Sequence, residues 1–201
     1  MSGVAGLVLA AGAGRRLGGP KALLRLDGRP LAERAVRSAR EGGCAPVVVV
    51  LGAAADRVRA VADLTAATVV VNADWASGLG SSLRAGLAAL AGTDATAAVV
   101  LLVDTPGVGA EAVRRVAALG GEDTLACATY SGRRGHPMLL GRAHWAAIAA
   151  EAAGDVGARR YLRAAGTAVV EVPCDGLADP ADVDTAEDAR RFGIDPGGTV
   201  P

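Results

Sequence analysis

A chain of 201 residues is long enough to bury one sizeable core, and at 51% hydrophobic but 2% aromatic that core must be built from Ala, Val and Leu. A formal net charge of +0 excludes a general nucleic-acid binder or a polybasic membrane surface. No apolar run reaches the roughly 18 residues of a membrane span.

The first apolar run, from Val4, lacks a preceding basic region and flows directly into glycines. It therefore predicts a buried first strand in a cytoplasmic protein, not a secretion signal. Gly12, Gly14, Gly18 and Gly19 follow, interleaved with Arg15, Arg16 and Lys21, the only lysine in the chain. Glycines let the backbone turn and present bare N–H groups to an anion, and a lysine is a compact point charge suited to phosphate. The stretch is thus a candidate phosphate loop. A dinucleotide-binding loop needs a third glycine where Leu17 stands, and a Walker loop needs Ser or Thr where Ala22 follows Lys21. A purely structural turn needs neither so many glycines nor the cations.

Ala22 to Leu26 predicts an extended piece closed by Asp27-Gly28, and Pro30 suits the first position of a helix running through Ala39 to Gly42-Gly43. Strands are expected at Pro46 to Leu51 and Thr68 to Val71, with a helix from Ala54 to Ala62 between them. This alternation indicates βαβ units and a mostly parallel sheet. The stretch from Asn72 leaves a strand, passes Gly80, Ser81 and Ser82, and opens a helix to about Ala91. Ligands gather at the carboxyl ends of parallel strands, so Asn72 and Gly80 to Ser82 are candidate nucleotide contacts. Helix capping is the alternative for the two serines, and loop packing equally suits Trp75; Arg84 reads as a solvated side chain.

Ala97 to Val103 is continuously apolar and is expected to be central. It ends in Asp104, either a turn or capping residue or a carboxylate placed to hold Mg²⁺. A helix from Gly109 to Leu119 and a strand from Thr124 to Tyr130 lead into an irregular stretch, Ser131 to Leu140, where Arg133, Arg134, Gly135 and His136 resemble an anion or substrate site. His136 could be a general base or a structural residue. A helix from Ala143 to Ala152 precedes a second small loop, Gly154 to Arg160, with Asp155 as a helix cap or a substrate contact; its helix ends near Ala165. Thr167 to Val172 closes the sheet. Asp179, Asp182, Asp184, Glu187 and Asp188 then precede a short helix. Such runs are mostly solvated, but Asp184, followed by Thr185, is where a second metal ligand could return to the site. Cys44, Cys127 and Cys174 lack a paired spacing and read as small buried apolar residues. The tail from Asp195 is expected to be disordered.

Together these pieces resemble the nucleotidyltransferases that act on molybdopterin, in particular the molybdenum cofactor cytidylyltransferase type. The resemblance rests on Leu9 to Lys21, Gly78 to Gly86, Val103 to Pro106, Arg134 to Pro137, Gly154 to Ala158 and Asp182 to Thr185. It implies one MobA-like NTP transferase domain over residues 1–194, a three-layer α/β/α, Rossmann-like fold. It further implies that Leu9, Ala10, Ala11, Gly12 and Gly14 meet the base, ribose and phosphates. Arg16 and Lys21 would serve the triphosphate, Gly80 to Ser82 the base, and Asp104 and Asp184 a Mg²⁺. Arg134, Gly135, His136 and Asp155 would face the pterin. Ala11 in Leu-Ala-Ala-Gly goes with CTP, whereas Leu-Ala-Gly-Gly marks guanylyltransferases. Leu17, Thr105 and Ala186 depart from the usual Met, Gln or Met, and Pro.

The implied reaction transfers CMP from CTP to the terminal phosphate of molybdenum cofactor and releases pyrophosphate. Lys21, Arg16 and Asp104 would be its catalytic residues, and a molybdenum hydroxylase or its chaperone a possible partner. Two alternatives stand beside it. One is a transferase with another acceptor, or a relative of nicotine blue oxidoreductase. The other is a module that only binds or delivers nucleotide or cofactor.

Overall fold

The computed structural model describes residues 3–194, so the expected tail lies outside the described residues. The first strand, β1 (Val4–Ala10), is apolar on both sides because both sides are covered: Ala5, Leu7 and Leu9 face one core, Val8 and Ala10 the other. After the first loop a small hairpin forms from β2 (Arg25–Leu26) and β3 (Arg29–Pro30). Its turn residues, Asp27 at φ 52° and Gly28 at φ 77°, both occupy the left-handed region that a tight hairpin of this kind demands. The helix α1 (Leu31–Glu41) follows, then β4 (Val47–Leu51), α2 (Ala55–Val61), β5 (Thr68–Val71) and α3 (Leu79–Ala91). Next come β6 (Ala97–Leu102), α4 (Ala110–Ala117), β7 (Leu125–Tyr130) and β8 (Arg133–Gly141). The chain continues with α5 (Trp145–Glu151), α6 (Arg159–Ala165), β9 (Val169–Pro173) and α7 (Ala186–Arg191).

Seven strands form one sheet in the order β5-β4-β1-β6-β8-β7-β9, with β6 in the middle as its apolar sequence demands. Only β8 runs against its neighbours; the other pairings are parallel. One face is covered by α1, α2, α4 and α7 through Leu31, Val36, Val58, Val113 and Ala189. The opposite face is covered by α3, α5 and α6 through Leu83, Leu87, Ile148 and Leu162. This is the expected three-layer α/β/α arrangement. From β1 the chain winds outward to β4 and β5, then crosses back through α3 to β6 on the other side of β1. The carboxyl ends of β1 and β6 therefore flank the switch point, where open α/β sheets bind ligands.

The structure departs from the sequence reading in four places, the first being that Gly80–Ser82 lie in the first turn of α3 and not ahead of it. Residues 133–141 are not irregular: they form β8, bulged opposite Cys127 and Ala128, and tolerate Gly135 and Pro137 because the ladder shifts there. Lys21–Leu23 is a 3₁₀ turn instead of extended chain. Pro30 caps α1 from the end of β3, and the helix starts at Leu31.

Candidate active site

The loop after β1 closes on itself. Gly14 sits at φ 57° and accepts hydrogen bonds from the N–H groups of Leu17 at 2.9 Å and Gly19 at 3.3 Å. A Cβ on Gly14 would overlap the Gly19 carbonyl oxygen, so this ring closes only around glycine. The N–H groups of Gly12, Ala13 and Gly14 donate to no partner among the described residues, which leaves them free for an anion. Leu9, Ala10 and Ala11 are buried at the strand end; the Leu9 carbonyl accepts from Val103 N–H at 3.1 Å and the Ala11 carbonyl from Ala53 N–H at 2.9 Å.

The loop delivers Lys21 to the switch point. Its Nζ donates to Asp104 Oδ2 at 2.8 Å and to Asp184 Oδ1 at 2.6 Å, while Arg16 Nη2 lies 3.2 Å from Asp184 Oδ2. Burial works against the Lys21 ammonium, but the charges and hydrogen bonds of Asp104 and Asp184 together outweigh it and raise its pKa. Asp184 is held below the usual carboxylate range, chiefly by its hydrogen bond from Lys21. Arg16 is 74% exposed against 16% for Lys21, so Lys21 belongs to the site's floor and Arg16 to its rim.

Asp104 is carried there by β6 and Asp184 by a separate docking. Val183, fully buried, donates its N–H to the Asp104 carbonyl at 2.8 Å, and Asp179 N–H bonds the Gly107 carbonyl at 3.3 Å. Behind Asp184, Thr185 and Asp188 form a reciprocal capping box at the start of α7, and Asp188 Oδ2 also accepts the Asp184 N–H at 3.1 Å. The sequence reading left Asp188 in a mostly solvated acidic run, although Thr-x-x-Asp before a helix is the signal of this cap. It gave Asp182 no role at the site, yet its carboxyl is pushed up by burial and then by the charges of Asp104 and Asp184. The Asp-Val-Asp spacing that brings residues two apart to one side of an extended chain was the available clue.

These carboxylates suit a divalent cation. Asp104 Oδ1 is buried and has no hydrogen-bond partner among the described residues, and hard carboxylate oxygens fit Mg²⁺ or Mn²⁺. Among the described residues no three His, Cys, Asp or Glu side chains form a metal cluster, and the carboxylates that converge on Lys21 are Asp104 and Asp184.

In the second loop Asn72 is the hub. Its Nδ2 donates to Ser81 Oγ at 2.8 Å and Ser82 Oγ at 3.1 Å, and its Oδ1 accepts the Asp74 N–H at 3.0 Å. All three residues are buried, so the serine hydroxyls are engaged within the loop. Gly80 N–H donates to the Gly154 carbonyl at 2.8 Å. A Cβ on Gly78, which sits at φ 108°, would lie 2.9 Å from Asp155 Oδ1, so Asp155 stands against the start of α3. Arg84 Nη1 donates to the Ala152 carbonyl, which makes it a brace for the same loop.

The other acceptor candidates have separate surroundings. Arg134 Nε bonds Glu171 Oε1 at 2.8 Å and its Nη2 bonds the Gly166 carbonyl at 3.0 Å, across the β7 and β9 edge. Gly135 lies flush against the Tyr130 ring, 3.2 Å from where a Cβ would stand. His136 is buried, and burial followed by the Arg159 charge lowers its pKa to about 3, so it is neutral at physiological pH and a weak base. The three cysteines are free and buried.

The family model described as MobA-like NTP transferase domain matches residues 6–170. Nicotine blue oxidoreductase of Paenarthrobacter nicotinovorans is 43% identical over 197 residues, 94% of this chain and 96% of that protein. Molybdenum cofactor guanylyltransferase of Rhodobacter capsulatus is 35% identical over 203 residues, 94% of each. Among solved structures, the manganese complex of Rv0371C from Mycobacterium tuberculosis H37Rv is 32% identical with a TM-score of 0.81, covering 95% of this chain and 98% of that one.

Proposed function

The chain belongs to the MobA-like NTP transferase family, a nucleotidyltransferase family, and from that premise we propose that it transfers CMP from CTP to the terminal phosphate of molybdenum cofactor. The observation that carries this reading is the single lysine of the chain bridging Asp104 and Asp184 beside a loop of free N–H groups. In the reaction a phosphate oxygen of the acceptor attacks the α-phosphorus of CTP, and the bond from that phosphorus to the β-phosphate oxygen breaks, releasing pyrophosphate. The nucleophile is already ionised at neutral pH, so no general base is needed. That agrees with a neutral, buried His136.

Asp104 and Asp184 would hold Mg²⁺, a choice supported by the orphaned Asp104 oxygen and by the manganese in the relative's structure. The ion supplies charge neutralisation on the phosphates. Lys21 and Arg16 contribute positive charge toward the departing pyrophosphate, and the glycine loop's N–H groups orient the phosphate chain. Catalysis is then positioning and electrostatics. Ala11 supports CTP; the relative named as a guanylyltransferase makes GTP the competing nucleotide. Arg134, Gly135, His136 and Asp155 are proposed to serve the pterin side, in a cytoplasmic enzyme supplying a molybdenum hydroxylase.

The test is pyrophosphate release with Mg²⁺, molybdenum cofactor and CTP, GTP or ATP in turn. Release with CTP alone is expected; release with GTP alone would overturn the cytidylyl assignment. The 43% identical relative's name favours a second reading, an oxidoreductase. NAD(P)H consumption without pyrophosphate release would replace the first reading by the second.

A further inference from the structure

The chain has two tryptophans, and they are used differently. Trp145, the first residue of α5, is buried in the core, its Nε1–H donating to the Leu140 carbonyl at 2.8 Å. Trp75 belongs to neither core and is only partly buried, in the 3₁₀ turn Trp75–Ser77 that follows β5.

Its position is fixed by glycine. A Cβ on Gly52, just past β4, would stand 2.5 Å from Trp75 Cβ, 2.7 Å from Trp75 Cγ and 2.8 Å from Ala11 Cβ. No side chain fits at 52 while the indole and the Ala11 methyl are in place, so Gly52 is the gap through which Trp75 meets the first loop. The turn is held from behind: Asp74 N–H bonds Asn72 Oδ1, and Ser81 Oγ lies 2.9 Å from the Asp74 carbonyl oxygen. Trp75 is therefore seated at the carboxyl ends of β1 and β4, its Cβ and Cγ over Gly52 and beside Ala11, on a turn held at Asp74.

We propose that Trp75 contacts the nucleobase, forming with Ala11 and Gly52 a pocket wall that stacks on the base and limits its size to a pyrimidine. Stacking on an aromatic side chain is worth about tenfold or more in affinity, since every base has a π-face. The inference rests on the nucleotide-binding reading above and deepens it with a further specificity residue.

The experiment is a titration of the protein with CTP and with GTP, without acceptor, followed by tryptophan fluorescence and calorimetry in parallel. Quenching by CTP is expected in the wild type and not in Trp75→Phe, which keeps Trp145 as its only indole. Trp75→Phe should retain CTP affinity because a ring remains, whereas Trp75→Ala should weaken CTP by about tenfold or more and narrow its preference over GTP. Gly52→Ala, which must displace the indole without removing it, should weaken CTP likewise. Calorimetric CTP binding of wild-type strength in Trp75→Ala, or binding without any change in wild-type emission, would overturn the proposal and leave the nucleotidyltransferase reading intact. Absence of nucleotide binding by the wild type would overturn both.

Discussion

Lys21 joins both carboxylates of the candidate site through one side chain. Its ammonium bridges two carboxylates in the free protein, and its removal leaves Asp104 without its cation and Asp184 with only the exposed Arg16 as counter-charge. Lys21→Ala is expected to lower pyrophosphate release by roughly a hundredfold or more, the scale of losing a charge that stabilises the transition state, with an unchanged far-ultraviolet circular dichroism spectrum. Near-normal turnover would remove Lys21 from the mechanism. Lys21 was legible in the sequence because it is unique and follows a glycine loop; its bond to Asp184, 163 residues away, was not. His136 makes a different prediction. Its folded pKa of about 3 lies below its unfolded value near ~6.5, so between these values the unfolded chain binds the extra proton. Stability conferred by the neutral ring is complete above about pH 6.5 and is lost as pH falls toward 3, with a slope approaching ~1.4 kcal/mol per pH unit. Urea unfolding at pH 7 and pH 4.5 should show a steeper acid loss in the wild type than in His136→Gln. Equal losses would mean that this histidine carries no linked proton.

At the scale of elements, the segment ahead of α7 decides whether the second carboxylate reaches the site. Val183 pins it to the Asp104 carbonyl, and the Thr185 and Asp188 box fixes the backbone of Asp184. Thr185→Ala removes the cap and is expected to cost about 1 kcal/mol of stability. It should also weaken Mn²⁺ binding, measured by electron paramagnetic resonance, because Asp184 loses its support; unchanged Mn²⁺ affinity would separate the cap from the site. Elements with a clean period were readable: β5 falls on Thr68–Val71 as expected, β4 within a residue, and α3 ends at Ala91, though it begins at Leu79 and takes Gly80–Ser82 into its first turn. By contrast β8 was hidden, because Gly135 and Pro137 read locally as loop residues and only its neighbours β6 and β7 supply the hydrogen bonds that make it a strand.

For the whole molecule, stability rests on a sheet buried on both faces, and β1 and α3 meet at its centre. Leu7 is fully buried, and a Cβ on Gly86 of α3 would overlap its Cδ1, so helix and strand are in direct contact there. Leu7→Ala should cost about 2–5 kcal/mol by chemical denaturation while leaving turnover per folded molecule unchanged, since no site residue moves. A loss of turnover in the folded fraction would instead tie the core to the loop that Leu9 begins. By itself the sequence determined the α/β class, the central apolar strand, the glycine loop with its lysine, and the placing of the candidate site at the carboxyl ends of the strands. All of these follow from local period, turn chemistry and strand direction. Only the tertiary structure decided the reversed β8, the pairing of Asp104 with Asp184 through Lys21, the neutral state of His136, and the gap at Gly52 that seats Trp75. Each of these depends on contacts between residues far apart in the chain, and a local pattern carries no information about which distant groups the folded sheet brings within bonding distance.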